Sequence, residues 1–363
     1  MQRRFLLAAG LATLSTHLAG CAGAPGPDRA ALAGTAPPRL PQAPLRRLAF
    51  GSCIDQERAQ PIWNAILADA PELFIFGGDN VYASTPPWSR EKLERAYATL
   101  AASPGFGRLR TSVPQLATWD DHDYGANDGG VEFPHKQASK DAFLAFWGIA
   151  ADDPRRTREG LYHAVRIGPP GRQVQIILLD GRWFRSPLQR TDRPMAAGKE
   201  RYLPDPDPAK TMLGEAQWLW LEQQLRQSAD LRLIVSGVQV LAEGHGWECW
   251  GNLPQEKARL LDLVHHTRAA GVVFLSGDRH IGAFYRHTAP GRYPLYEMTS
   301  SGMTHAWAQA AEAGPNRLGD LVRVNHFGSI ALDWEARSVR LALKDEAGAS
   351  QRELPLALAD LVA

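Results

Sequence analysis

The chain has 363 residues, of which 44% are apolar, and it is long enough to bury a substantial hydrophobic core. Its formal net charge of +1 at pH 7 reflects a near balance of acidic and basic residues. This balance excludes binding to nucleic acid or to an anionic membrane through bulk electrostatic attraction, although a small anionic ligand needs only a local positive field.

The first twenty residues have the pattern of a bacterial export signal. Arg3 and Arg4 form a charged start, and the apolar run that follows at residues 5–16 is too short to span a bilayer. Residues 18–21, Leu-Ala-Gly-Cys, are similar to a lipobox, which predicts a lipoprotein signal peptide over residues 1–20 and a lipid on Cys21. The paired arginines also resemble a twin-arginine signal, so both that export route and the general secretory route remain open. Removing this segment, which has two arginines and no acidic residue, changes the formal net charge from +1 to −1.

Residues 21–44 are rich in proline, alanine and glycine and have almost no hydrophobic periodicity. This composition predicts a tether, and it leaves residues 45–363 as one folded domain. A lipid on Cys21 would hold the domain at the periplasmic face of a membrane. Ala22 favours the outer membrane, because it is not the acidic residue that signals retention at the inner membrane.

In the folded domain, apolar runs of strand length alternate with amphipathic runs of helical length, a pattern that is typical of α/β proteins. The earlier predicted strands are residues 48–51, 73–76, 115–118, 174–179, 231–236 and 272–276. The predicted helices are residues 90–101, 136–147, 214–227 and 255–269. The later predicted strands are residues 295–299, 328–334, 339–344 and 353–358.

Polar residues follow five of these strands at the point where each strand ends. In open α/β sheets, the carboxyl ends of the strands meet at the edge that binds ligands. We therefore expect one site that brings together Cys53, Asp79, Asp120, Asp121, His122, Asp180, Arg182, Asp278 and His280. Among these, Asp180 is expected to hold a loop or Arg182 and is not predicted to bind a ligand.

The first part of this set is typical of a site for a trivalent cation. Asp79 follows two glycines that allow a tight turn, and its carboxylate is placed to bridge two ions. Tyr82 would supply a phenolate, which favours ferric iron. Cys53 would add a thiolate and His280 an imidazole.

A second cation would be held by Asp121 and Asp278. A site dominated by oxygen ligands suits calcium, magnesium or manganese better than copper. Cys53 has an alternative use, because a disulfide to Cys249 is common chemistry in an oxidising compartment and would remove the thiolate. Two neighbouring cations solve the central difficulty of phosphate ester hydrolysis, in which the nucleophile and the phosphoryl oxygens are both negative.

Taken as an ordered set, five blocks of the sequence resemble the PhoD-type alkaline phosphatases, a branch of the calcineurin-like metallophosphoesterases. The blocks are Gly51-Ser52-Cys53, Gly78-Asp79-Asn80-Val81-Tyr82, Trp119-Asp120-Asp121-His122-Asp123, Leu179-Asp180-Gly181-Arg182 and Ser276-Gly277-Asp278-Arg279-His280. Residues 236–250 and 296–305 are similar to later blocks of the family, so the resemblance extends over about residues 46–345. Each block alone is weak, and the specificity lies in the set.

The resemblance implies the metallophosphoesterase fold, which is a four-layer α/β/β/α sandwich with two mixed sheets. It implies a ferric ion held by Cys53, Asp79, Tyr82 and His280. It also implies a second, divalent metal held by Asp79, Asp121 and Asp278. Calcium is the favoured second metal, with manganese, magnesium and zinc as alternatives.

Further residues receive roles from the same resemblance. His122 is expected to orient the phosphate or to protonate the leaving group, and Arg182 to clamp the phosphate oxygens with its guanidinium fork. Asp120 and Asn127 are either metal ligands or neighbours of the ligands, and we assign Asp120 to the metal and Asn127 to the substrate. His245 is assigned to the substrate as well, although ordinary packing of its aromatic loop is an equal alternative.

We therefore expect an exported, metal-dependent phosphoesterase, an alkaline phosphatase or phosphodiesterase, in which a metal hydroxide attacks a small phosphate ester. The alternatives are a phospholipase D-type phosphodiesterase that acts on lipid head groups and a metal-stabilised envelope lipoprotein without activity. The expected partners are the ester and, through the lipid anchor, a membrane. The sequence indicates neither specific nucleic-acid binding nor an obligate protein partner.

Overall fold

Two mixed β-sheets lie at the centre of the protein in a computed structural model, which describes residues 38–362. The predicted signal peptide, the predicted lipidation site Cys21 and most of the predicted tether lie outside these residues. The first sheet has the spatial order β13 (Ser350–Ala357), β12 (Ser338–Asp345), β11 (His326–Asp333), β1 (Arg47–Gly51), β2 (Leu73–Gly77) and β3 (Gln115–Thr118). The second sheet has the spatial order β10 (Arg317–Val322), β8 (Gly282–His287), β9 (Leu295–Ser300), β7 (Val272–Ser276), β6 (Leu231–Ser236), β5 (Val174–Leu178) and β4 (His163–Ile167).

Helices connect and flank these strands. They are α1 (Ile62–Ala68), α2 (Arg90–Ala102), α3 (Pro104–Ser112), α4 (Asp121–Tyr124), α5 (Lys136–Phe146), α6 (Gly214–Leu225) and α7 (Pro254–His266). Short 3-10 turns occur at Pro154–Arg156, Trp250–Asn252 and Leu358–Leu361. Within residues 38–362, no helix combines the length and the apolar composition that a membrane span requires.

Every strand and helix predicted from the sequence overlaps an observed element, and the bounds differ by at most three residues. Strands β4, β8 and β10 and helices α1, α3 and α4 were not predicted. Strands β4 and β10 lie at the two edges of the second sheet and are partly exposed, so they lack the continuous apolar run of a central strand. Helix α4 has four residues, which is too short for a periodic pattern.

Side chains that alternate along each strand fill the space between the two sheets. Leu73 and Ile75 of β2 belong to the same buried cluster as Ile176 and Leu178 of β5, which lies in the other sheet. Because successive side chains of a strand point to opposite faces, Phe74 points away from this cluster. The central strands are therefore buried on both faces and read as continuous apolar runs.

Aromatic side chains cover the outer face of the first sheet. Phe74 and Phe76 of β2 pack against Trp63 of α1, with ring centroids 6.0 and 6.2 Å apart respectively. Phe106 of α3 lies 6.0 Å from Phe76 and 6.0 Å from Phe146 of α5. Helices α1, α3 and α5 thus form one outer layer of the molecule.

Two helices cover the outer face of the second sheet. Trp218 and Leu221 of α6 and Leu260 of α7 pack in one buried cluster with Ile177 of β5 and Phe274 of β7. The order of layers is helix, sheet, sheet, helix. This arrangement confirms the predicted α/β/β/α sandwich with two mixed sheets.

The parallel strands of both sheets bring their carboxyl ends to neighbouring positions. Strands β1, β2 and β3 are parallel in the first sheet, and β5, β6 and β7 are parallel in the second. At the end of β3, Thr118 Oγ1 donates a hydrogen bond of 2.9 Å to the carbonyl of Leu179, which follows β5. After β1, Ser52 Oγ donates to the carbonyl of Ser300 at the end of β9, at 3.2 Å. The loops that follow these strands therefore meet at one rim.

A tight turn after β2 aims Asp79 into this rim. Gly78 has a φ of +106°, and a Cβ atom on Gly78 would lie 2.5 Å from Asp120 Cβ and 2.8 Å from the Asp120 backbone nitrogen. The carbonyl of Asp79 accepts a hydrogen bond of 2.9 Å from the amide of Ile54, which ties the turn to the loop after β1. Only glycine fits at Gly78, because both its φ and the lack of space exclude a side chain.

We predict that Gly78→Ala destabilises the protein by about 1–3 kcal/mol, the usual cost of a strained backbone position, and displaces Asp120. Gly107→Ala is the matched control, because Gly107 lies in α3 and its added Cβ would meet no atom within 4 Å. That control should be neutral or stabilising by up to about 1 kcal/mol. Urea unfolding of both variants measures the difference, and equal stability would contradict the role of Gly78.

Candidate metal centre

The loops after β1, β2 and β7 bring Cys53, Asp79, Tyr82 and His280 together. Ligand atoms of Cys53, Asp79 and His280 all lie within 4.8 Å of one another. Cys53 Sγ is 3.5 Å from Asp79 Oδ2, and the Tyr82 hydroxyl is 3.4 Å from the same oxygen and 3.0 Å from His280 Nε2. The group offers a thiol, a carboxylate, a phenol and an imidazole to one point, a donor set that suits a transition-metal ion.

Both cysteines of the described residues, Cys53 and Cys249, are free and buried. The alternative of a disulfide between them is therefore wrong. Burial raises the pKa of the Cys53 thiol well above its usual value, and the neighbouring Asp79 carboxylate adds to this effect. A cation at this position would act in the opposite direction and stabilise the thiolate.

A second group of carboxylates adjoins the first. Ligand atoms of Asp120, Asp121 and Asp278 lie within 4.8 Å of one another, and the same holds for Asp79, Asp121 and His122. Asp79 thus belongs both to the group with Cys53 and to a group with Asp121. This position between two groups is the one that a bridging carboxylate requires.

Two acidic residues that the sequence analysis did not assign extend the cluster. Asp128 and Glu248 lie with Asp278 in a further group of ligand atoms within 4.8 Å. Asp128 directly follows the predicted Asn127, and Glu248 lies in the same loop as the predicted His245. Their proximity in sequence to predicted site residues could have indicated them. The prediction used polar residues that directly follow a strand, and neither Asp128 nor Glu248 does so.

The chemistry of these carboxylates fits bound cations. Asp120 Oδ2 and Asp121 Oδ1 are buried and have no hydrogen-bond partner. Burial raises the pKa of Asp79 well above its usual value, and repulsion from Asp121 raises it further. Burial is also the largest cause of the raised pKa of Asp278. Buried, unpartnered carboxylates are costly, and cations of high charge remove that cost.

Asp121 differs from its neighbours. Burial raises its pKa, but this effect is outweighed by His122, by Arg182 and by the hydrogen bond of 2.7 Å that the Asp128 amide donates to Asp121 Oδ2, so the net shift is downward. Asp121 is consequently the carboxylate of the cluster most strongly held in its ionised form.

Backbone strain is concentrated at the same positions. Cys53, Asp79, Asp278 and His280 have φ angles of 61°, 48°, 68° and 54°, in the left-handed region that non-glycine residues rarely adopt. Strained residues of this kind cluster at functional sites, where the surrounding structure holds them in place. Four of the seven predicted metal ligands therefore have this left-handed backbone conformation.

Buried hydrogen bonds hold the loops that carry the cluster. Asp123 is fully buried, and its Oδ1 accepts a bond of 2.8 Å from the Asp120 amide while its Oδ2 accepts one from Asn80. Burial raises the pKa of Asp123 to about 7. The His122 amide donates to Asp79 Oδ1 at 3.2 Å, and His122 Nδ1 shares a hydrogen bond of 2.6 Å with Ser84 Oγ. The imidazole of His122 is thereby fixed relative to Asp79.

A cavity of about 260 Å³ opens onto the cluster. Its walls include the acidic group, the imidazoles of His122 and His280, and a basic and aromatic side; the residues of that side are Arg201, Trp247, Arg279 and Trp307. Asn127, which was assigned to the substrate, also lines the cavity. The volume lies just below the usual range of ligand pockets, about 300–1,000 Å³, and suits a small group such as a phosphoryl group.

The placement of Arg182 corrects the prediction that it clamps the phosphate. Its side chain is 1% exposed and does not line the cavity. Its guanidinium lies 2.7 Å from Asp120 Oδ1 and 2.8 Å from Glu248 Oε1, and these carboxylates raise the pKa of Arg182 against the opposing effect of burial. Arg182 holds two acidic side chains of the cluster in position instead of contacting a ligand.

The placement of His245 corrects the prediction that it binds substrate, and supports the alternative of packing. His245 is buried and does not line the cavity. Its Nε2 shares a hydrogen bond of 3.0 Å with Gln239 Oε1, and its Nδ1 accepts a bond of 3.2 Å from the Trp247 amide. Burial lowers the pKa of His245 to about 3, so the ring is neutral and both nitrogens are engaged within the protein.

Comparisons with known proteins bear on the family and on the fold. The family model of the PhoD-like phosphatases matches residues 48–313. A solved structure of PhoD has a TM-score of 0.67 and 16% sequence identity, and the match covers 88% of this chain and 70% of that one. The purple acid phosphatase PPD1 from yellow lupin (Lupinus luteus) seeds has a TM-score of 0.58 and 11% identity over 90% of this chain and 57% of the other.

A third structure, GAP50, which is described as the anchor in the inner membrane complex of Plasmodium, has a TM-score of 0.52 and 14% identity over 86% of this chain and 88% of its own. No curated protein matches the chain by sequence. At these low identities the solved structures establish the common fold, while the family model is the finding that bears on activity.

Proposed function

Since the chain belongs to the PhoD-like phosphatase family and is therefore a metal-dependent phosphoric ester hydrolase, we propose that it cleaves small phosphate esters at a centre of two cations. The observation that carries this proposal is the position of Asp79. Its carboxylate lies in one group with Cys53 and His280 and in another with Asp121 and His122. A single carboxylate between two donor sets is the arrangement that two-cation hydrolases need.

The donor sets support different ions at the two positions. Tyr82 offers a phenolate beside Asp79, which favours ferric iron, and Cys53 and His280 would add a thiolate and an imidazole. Asp121 offers only oxygen on the other side, with Asp120 and Asp278 as its neighbours, which favours calcium over manganese, magnesium or zinc. Two cations in such a site supply Lewis acidity, which lowers the pKa of water and offsets the negative charge of the phosphoryl group.

His122 is proposed to act on the ester itself. Its ring lines the cavity, and its Nδ1 is engaged by Ser84, so Nε2 is the nitrogen left to meet a ligand. A histidine held in this way can orient a phosphoryl oxygen or deliver a proton to the departing alkoxide. Asn127, which lines the same cavity and is exposed, is proposed to contact the substrate at the mouth.

Purified residues 38–363 should contain iron and a second metal, with a visible absorption band from tyrosinate or thiolate bound to ferric iron. The metal-loaded protein should hydrolyse an aryl phosphate, a bis-aryl phosphate or both, and phosphatidylcholine serves as the test of the lipid alternative. Asp79→Asn should lose metal and activity together, because the shared carboxylate is removed. Asp141→Asn is the control, since Asp141 is exposed on α5. Two bound metals without turnover of any phosphate ester would overturn the proposal.

His122→Ala should keep both metals and lower kcat by about 10²–10⁴-fold, the usual contribution of a positioned acid or base. His266→Ala is the matched control, because His266 is exposed at the end of α7. Metal content and steady-state rates are measured on the same preparations. Loss of metal along with activity in His122→Ala would show that His122 belongs to the metal site instead.

We further propose that the protein is exported and anchored by a lipid on Cys21 at the periplasmic face, with the outer membrane favoured. The lipobox-like residues 18–21 and the tether that follows support this proposal. Expression of the full chain in a bacterium with labelled palmitate should label the protein, and Cys21→Ala should abolish the label. Recovery of unlabelled, uncleaved wild-type protein would contradict the anchor.

A further inference from the structure

Arg279 lies on the wall of the cavity, between Asp278 and His280 in the sequence. Its side chain is 6% exposed, and its Nε is buried without a hydrogen-bond partner. Its ion-pair partner is Glu312, whose Oε2 is 3.5 Å from Arg279 Nη2, a long separation for a charge-assisted bond. Arg279 is therefore a buried cation with unused donors that faces the space where the substrate is proposed to bind.

The other three arginines near the cluster differ from Arg279 in this respect. Arg185 is buried and does not line the cavity, and its Nε lies 3.3 Å from Glu248 Oε1. Arg182 does not line the cavity and is paired closely with two carboxylates. Arg201 lines the cavity, but its side chain is 42% exposed and its Nη1 is 2.7 Å from Asp128 Oδ2. Desolvation strengthens the attraction of a cation for an anion, so of the two arginines that line the cavity Arg279 is the better placed to bind one.

A chain of buried hydrogen bonds holds the partner of Arg279. Glu312 accepts a hydrogen bond from the Tyr285 hydroxyl, which accepts one of 2.9 Å from Gln239 Nε2. Gln239 Oε1 in turn is 3.0 Å from His245 Nε2, and His245 Nδ1 accepts from the Trp247 amide at 3.2 Å. The chain thus runs from Arg279 through the protein interior to Trp247, and both of its ends lie at the cavity.

The indole rings at the cavity complete the support of the guanidinium. Arg279 Cζ lies 4.9 Å from the centroid of the Trp247 ring and 6.0 Å from that of Trp307. The two indoles are nearly perpendicular, with centroids 5.6 Å apart. Aromatic faces hold a guanidinium in place without using its N–H donors, which stay available for a ligand.

We propose that Arg279 binds the non-bridging oxygens of the ester phosphate, and that Glu312, Tyr285 and Trp247 are positioning residues for it. This inference rests on the proposed function and assigns to Arg279 the role that the sequence analysis gave to Arg182. A buried guanidinium favours the more highly charged anion, so Arg279 should contribute more to a phosphate monoester, a dianion at alkaline pH, than to a monoanionic diester.

Arg279→Met, which keeps the length of the side chain and removes the charge, tests the proposal in the metal-loaded protein. We expect KM for an aryl phosphate and the inhibition constant of inorganic phosphate to rise by about 10- to 100-fold, with a smaller rise for a bis-aryl phosphate. Arg279→Lys should restore part of the affinity, because it keeps the charge but not the fork. Arg286→Met on β8 is the matched control, since Arg286 is exposed.

Glu312→Gln tests the positioning residues. It keeps Arg279 but removes the charge that anchors it, and it should raise the same constants by a smaller factor than Arg279→Met. Calorimetric titration of each metal-loaded variant with inorganic phosphate, alongside measurement of metal content, provides a readout that does not depend on turnover. Wild-type protein that binds phosphate but cleaves no ester would contradict the proposed function. In that case, weaker phosphate binding by Arg279→Met in the same titration would still support the assignment of Arg279 as an anion-binding residue.

Unchanged phosphate affinity in Arg279→Met at full metal content would overturn the proposal. Loss of metal in both Arg279→Met and Arg279→Lys would overturn it equally, because Arg279 would then act on the metal centre and not on the ester. An equal loss for monoester and diester would contradict the charge preference inferred above.

Discussion

Mutual repulsion among carboxylates is the constraint on which the rest of this site depends. Asp79, Asp120 and Asp121 are buried and Asp278 is half-buried, and all four lie within ligand distance of their neighbours. Without cations such an arrangement opposes folding. The fold tolerates it because two large sheets with an apolar core between them supply the stability that the rim lacks. The same concentration of negative charge attracts cations to the rim. The destabilisation of the fold and the capacity to bind cations therefore have one physical origin.

The arginines around this centre differ in their access to the cavity and in the carboxylates that they contact. Arg182 is enclosed and neutralises Asp120 and Glu248, which leaves the remaining acids to bind cations. Arg279 is almost as buried but has a long contact to Glu312 and unused donors toward the cavity. Both guanidiniums belong to loops that follow strands, and the difference in their roles comes from which carboxylates the fold places within reach.

Much of the site was predictable because strand ends are visible in the sequence. An apolar run that stops at a polar residue marks the rim, and this rule located Cys53, Asp79, Asp121, Asp278 and His280. Roles that depend on direction and distance were not predictable in this way. Arg182 and a phosphate-contacting arginine have the same local pattern, and nothing in the sequence distinguishes a side chain that points into the core from one that points into the cavity.

The sequence by itself determined the α/β class, the approximate bounds of the central strands and helices, and those residues of the rim that directly follow a strand, because these depend on local hydrophobic periodicity and on residue order. Only the tertiary structure decided that Cys53 and Cys249 stay unpaired, that Asp128 and Glu248 join the cluster, and that Arg279 faces the cavity. These outcomes depend on contacts between residues far apart in the chain. Their distances are fixed by the packing of two sheets, which no local pattern records.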